Sequence, residues 1–154
     1  IRKGEKGNPG ELSGLIRYEA GNILGEISEN RKNGIFGTME ASQLKNMNLE
    51  KVPIGYKQDL KTGPASVFCC TDGEVKEYAA EITRIDLNHE DSNKSFVIQI
   101  TDKELLEKTG GIVQGMSGSP VLQNGKLFGA VTHVFVQDST SGYGIFIENM
   151  MDVA

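Results

Sequence analysis

Apolar residues gather along this chain in short runs broken by Gly, Asn, Asp and Pro, a pattern that predicts strands joined by turns rather than long helices. Leu12 to Tyr18, Ile23 to Ile27 and Ile35 to Met39 form an early group that reads as a meander, with Asn22, Asn33-Gly34 and Gly37 as turn or bulge markers. Met47 to Tyr56 is mixed, and Pro53, which has no N–H for a ladder, confines it to an edge strand or a loop. Gly63-Pro64 opens a strand through Cys70, Asp72-Gly73 turns it, and Val75 to Ile85 alternates as its long partner. Ser95 to Ile100 predicts a further strand, Lys103 to Lys108 the one internal helix, and Gly110-Gly111 its stop. From Val121 to Val136 two apolar runs are joined through Asn124-Gly125, a strong type I′ hairpin signal. Tyr143 to Glu148 is the last expected strand, and Asn149 to Ala154 reads as the start of a terminal helix.

Composition supports an all-β class with one short internal helix. Gly is abundant at 19, aromatics are few at 6%, Trp is absent and the hydrophobic fraction is 38%, which suits short strands and many turns. A double barrel needs roughly 200 to 250 residues. The 154 residues here therefore predict one complete barrel and part of another, divided into 1–62 and 63–154. A net charge of -5 argues against nucleic acid or an anionic membrane as partner and leaves protein. No run approaches the roughly 20 apolar residues that cross a bilayer. Cys69 and Cys70 are neighbours whose side chains point to opposite faces of a strand, so two free thiols are expected. No second cluster with ligand spacing exists, so neither a metal nor any other cofactor is expected.

The densest chemical signal is Gly115-Met116-Ser117-Gly118-Ser119-Pro120. Small residues around one serine suit an exposed nucleophile with open backbone beside it. Ser117 is the candidate nucleophile, and the N–H groups of Gly115, Met116 and Ser117 are the candidate oxyanion donors. Taken alone, such a cluster more often makes an ordinary turn. The hairpin directly behind it changes the weighting, because a GxSGxP turn followed by two strands resembles the serine hairpin of chymotrypsin-like peptidases.

The resemblance extends from Ile100-Thr101-Asp102 through Thr109-Gly110-Gly111-Ile112-Val113-Gln114-Gly115 to Gly129-Ala130-Val131-Thr132-His133-Val134-Phe135-Val136. It continues into Ser141-Gly142-Tyr143-Gly144-Ile145 and back to Gly34-Ile35-Phe36-Gly37-Thr38 and Gly7-Asn8-Pro9-Gly10. Over these segments the chain is similar to the stage IV sporulation protein B family of serine peptidases. That resemblance implies chymotrypsin-like barrels, the serine-bearing C-terminal one complete and the N-terminal one partial. It also implies a PDZ domain ahead of the peptidase, and a sporulation signalling endopeptidase that cleaves a membrane-associated signalling protein. The full-length protein would be tethered to a membrane outside the cytoplasm, in the space between mother cell and forespore.

Under the same resemblance Asp102 is the catalytic carboxylate that orients the imidazole. Spacing alone reads the position differently, as part of a helix cap in which Thr101 and Glu104 form a capping box. The family's histidine lies upstream of the Gly7-Asn8-Pro9-Gly10 stretch, so the general base is not in this sequence. His89 reads as a loop bystander. For His133, a half-buried histidine bonded within the barrel is preferred, lining of the substrate site comes second and replacement base third. Thr132, His133 and Val134 are the candidate substrate-pairing strand.

Losing a triad member costs on the order of ten-thousandfold to millionfold in rate, so the chain alone is expected to be inactive. A piece of a longer chain, a self-cleaved product joined functionally by its missing N-terminal segment, or a family member without activity would each account for it. The rival from another class is a non-catalytic peptide-binding β module.

Overall fold

The computed structural model describes residues 1–47 and 49–151. Two strands, β1 (Gly25–Arg31) and β2 (Gly34–Met39), pair antiparallel and are followed by a short helix α1 (Ala41–Asn46). The remaining strands are β3 (Gly63–Cys70), β4 (Val75–Ile85), β5 (Phe96–Ile100), β6 (Pro120–Gln123), β7 (Lys126–Val134) and β8 (Ser141–Phe146). They close into an antiparallel barrel in the order β3-β4-β5-β8-β7-β6. Helix α2 (Lys103–Thr109) leads from β5 towards the serine turn, and α3 (Ile147–Met151) follows β8. The architecture is the expected all-β, chymotrypsin-like one.

Alternation builds the interior. On β4 the residues Tyr78, Ala80 and Ile82 face inward and are buried, while their neighbours Glu77, Ala79 and Glu81 are exposed. Val67, Phe96, Ile98, Val121, Phe128, Val131 and Phe146 join them in one cluster that also takes in Leu105 from α2. The β6–β7 turn is the type I′ turn expected from Asn124-Gly125, with φ of 52° and 73°. Gly110 ends α2 in the left-handed region at φ 76°, its N–H bonded to Leu106 O.

Closure itself is narrow. β3 meets β6 through only Ser66↔Leu122 and Val67↔Val121. The buried Gln123 reinforces this seam by donating from Nε2 to Lys61 O and Pro64 O while its Oε1 accepts from Lys61 N. On the opposite flank, Asp72 Oδ2 accepts from Lys108 Nζ at 2.8 Å and Lys76 Nζ at 3.3 Å, tying the β3–β4 turn to α2. The Lys108 bond, then the Lys76 bond, holds the Asp72 carboxyl down at about 2. Its contribution to stability is therefore present above the ordinary carboxylate range and lost as pH falls towards that value.

Several expectations change. Leu12 to Tyr18 is not a strand: beyond Leu12 the segment is exposed and has no ladder partner, and residues Ala20–Asn22 form a single 3₁₀ turn. The last strand begins earlier than expected, at Ser141, and Ile147 already belongs to α3. The cap of α2 is Asp102 itself rather than a Thr101–Glu104 box. Helix α1 has no side-chain cap bond and gives no sequence signal. Within the expected terminal helix, residues 152–154 lie outside the described residues.

Two outcomes test this packing. Ile82, fully buried at the barrel centre, should lose about 3 kcal/mol of stability on Ile82→Ala, read by denaturant unfolding. Cys69 is buried and Cys70 exposed, and burial, followed by the neighbouring Cys70, pushes the Cys69 thiol up to about 11. Iodoacetamide at pH 8 should therefore alkylate Cys70 alone in the folded protein and both thiols in denaturant, as mass spectrometry would show.

Candidate active site

The serine turn is built by two glycines in conformations that side chains avoid, Gly115 at φ 105° and Gly118 at φ 90°. Between them Met116 points inward and is buried, which turns Ser117 outward and leaves it exposed. The surrounding backbone is almost fully bonded. Met116 N–H donates to Val113 O at 3.1 Å, Ser119 N–H to Met116 O at 3.0 Å, Gly118 N–H to Val131 O at 2.8 Å and Val131 N–H to Ser119 O at 3.0 Å. Among the described residues, the N–H groups of Gly115 and Ser117 have no acceptor.

That pattern sorts the three expected oxyanion donors. Met116 N–H is occupied in the turn, whereas the Gly115 and Ser117 amides have no acceptor among the described residues. Ser117 Oγ itself donates to Thr132 O at 2.9 Å, so the hydroxyl rests on the strand expected to pair with substrate.

Two hollows meet at Ser117. One, of about 310 Å³, lies between the Ile112–Gly115 segment and β7, and is lined by Ile112, Val113, Val134, Val136 and Pro9 together with Thr132 and His133. The other, of about 350 Å³, lies between β7 and the β1–β2 tip, with Lys32, Asn33 and Gly34 on one side and Ser117, Val131, Thr132 and His133 on the other. The candidate residues Thr132 and His133 thus stand at the junction, and Val134 lines the first hollow alone. Thr132 falls in a bulge of β7, and its hydroxyl lies 2.6 Å from Asn93 O and 3.1 Å from Tyr143 O. His133 is exposed rather than half-buried, its backbone paired with Tyr143. His89 is remote in role, its Nδ1 accepting from Asp91 N–H at 3.0 Å within its own loop.

Asp102 makes no hydrogen bond to Ser117 among the described residues. Its Oδ1 accepts from Leu105 N–H at 3.1 Å, capping α2, and its Oδ2 from Ala79 N–H at 3.2 Å, holding β4. It lines neither hollow. No hydrogen bond joins Ser117 to Asp102 or His133 among the described residues.

Sequence reasoning missed the β1–β2 tip. Asn33 Nδ2 donates to Asn149 O at 3.0 Å and Asn93 Nδ2 to Lys32 O at 3.0 Å, bolting the hairpin beside the serine. Asn33-Gly34 signalled a turn, but nothing local says where a turn docks.

Residues 1–151 match the SpoIVB peptidase S55 family. The chain belongs to that family. The S55 assignment makes it a serine peptidase of the sporulation type, on a barrel that places one exposed serine between open amides. No curated protein matches the chain. No helix among the described residues is long and apolar enough to cross a membrane.

The cap role of Asp102 carries its own test. Asp102→Ala should cost about 1 kcal/mol or more in denaturant unfolding, whereas Asp102→Asn, which keeps one oxygen for the cap but sets an NH2 against Ala79 N–H, should recover only part of that loss.

Proposed function

We propose that this S55 chain is the serine-bearing core of an endopeptidase that cleaves a protein partner through an acyl-enzyme, with Ser117 as nucleophile and the Gly115 and Ser117 amides as oxyanion donors. The observation that carries the reading is the pair of unpartnered N–H groups flanking an exposed hydroxyl in an otherwise bonded turn. A backbone amide aimed at a developing oxyanion is worth on the order of a hundredfold to a thousandfold in rate.

The general base is an imidazole supplied from outside these residues, and the hollow between β7 and the β1–β2 tip is the space beside Ser117 that receives it. On arrival the imidazole takes the hydroxyl proton that now rests on Thr132 O, freeing that carbonyl to accept the substrate N–H. The side chain on the acyl side of the scissile bond then enters the other hollow. Its walls of Ile112, Val113, Val134 and Val136 suit an apolar residue of modest size. Asp102 contributes as the cap of α2, the helix that leads into the serine turn. In this reading the substrate is a membrane-associated signalling protein of sporulation and the cleavage takes place outside the cytoplasm.

With the histidine-bearing segment joined ahead of the chain, a fluorophosphonate should label Ser117, and Ser117→Ala should abolish labelling and lower peptide hydrolysis by about ten-thousandfold or more. Absence of labelling with that segment present would favour a peptide-binding module. In the same assay an Asp102 confined to capping α2 predicts kcat within a few fold on Asp102→Asn. A fall of about ten-thousandfold would instead make it the imidazole's orienting carboxylate.

A further inference from the structure

The geometry points to the N-terminal hairpin, residues 2–12, as the positioning element of the oxyanion donors: its hydrogen bond to Gln114 sets the direction of the Gly115 N–H. The inference rests on the peptidase reading above.

The hairpin is a built piece rather than a loose end. Arg2 and Glu11 exchange both backbone bonds, at 2.8 and 2.9 Å, and Glu5 and Asn8 exchange theirs at 2.9 Å around Gly7, whose φ is 80°. It docks along the segment that precedes the serine turn. Gly4 N–H donates to Thr109 O at 2.8 Å, Gln114 N–H to Gly10 O at 2.8 Å, and Leu12 N–H to Gln114 O at 2.9 Å. Gly4 and Gly10 are buried, and a Cβ on Gly10 would collide with Arg2 O and Gly4 N.

The last of those bonds has a direct chemical consequence. Gln114 C=O and Gly115 N–H belong to one peptide plane, and in a trans peptide they point in opposite directions. No peptide bond among the described residues is cis. Holding the Gln114 carbonyl against Leu12 therefore turns the Gly115 N–H away from the hairpin, to the side on which it has no acceptor. Among the described residues the Leu12 bond is the one hydrogen bond on that plane. Gly115 has the backbone freedom to let it rotate, and an inverted plane would present a carbonyl where the oxyanion needs a donor. The Leu12 side chain, half-buried against the core, also abuts Gly115, lying 3.1 Å from where a Cβ would stand.

Leu12→Pro removes the donor while Leu12→Ile keeps it. With the histidine-bearing segment present, Leu12→Pro should lower kcat for a peptide ester by about a hundredfold or more at nearly unchanged KM, and Leu12→Ile should restore it. Gly10→Ala, which dislodges the hairpin through a different residue, should show the same split, and Gly14→Ala, in open space, should not. The pH profile should keep its shape, because the base is untouched. Circular dichroism melts confirm that the barrel of each variant is folded. Folded Leu12→Pro and Gly10→Ala proteins with kcat within twofold of the parent would overturn the inference and leave the peptidase reading standing. An unlabelled, inactive parent would overturn both.

Discussion

Two backbone amides must stay unbonded inside a turn whose other groups are bonded, and the rest of the molecule is arranged around that constraint. An unpaired N–H is tolerated only where solvent or a ligand can reach it, which is why Ser117 and Gly115 are exposed while Met116 between them is buried. The barrel supplies the rigidity: Val131 on β7 and Val113 before the turn take the neighbouring amides, and the positive φ of Gly115 and Gly118 bends the chain sharply enough to leave two out.

The site is accordingly a product of the barrel's rim rather than of its interior. Thr132 sits in a bulge that breaks the β7–β8 register, and bulges re-aim backbone groups at the cost of one ladder position. Its carbonyl faces the serine while its hydroxyl is anchored to Asn93 and Tyr143. The same rim receives the β1–β2 tip through Asn33 and Asn93, so segments far apart in sequence converge on one hydroxyl.

Where local chemistry decided the structure, the sequence was readable. Asn124-Gly125 could make only one kind of tight turn, and the Lys103 to Thr109 helix carried its own cap and its own glycine stop. A capping role for Asp102 was readable from spacing, but the Thr101–Glu104 box was not the form it took, because Thr101 and Asp102 are both competent and the pairing of Asp102 with Ala79 selects between them. Leu12 to Tyr18 misled because apolar content implied burial, yet Leu15, Ile16 and Tyr18 are 82%, 75% and 93% exposed. The serine turn was legible from its glycines, but which amides remain open depends on Val113, Val131 and Ser119 accepting or donating at the right distance, a fact of tertiary geometry. That Asp102 spends both carboxylate oxygens on Leu105 and Ala79 was invisible for the same reason, since Ala79 lies far off along the chain.

The seam between β3 and β6 gives the barrel a weak fastening. Two ladder pairs and the Gln123 amide make up its hydrogen bonding among the described residues, and β6 begins at Pro120, three positions after the nucleophile. Thermal breathing that parts this fastening would disturb the reactive corner long before the tightly laced β3, β4 and β5 side gives way, so heat would silence such an enzyme at temperatures where most of its core still holds together.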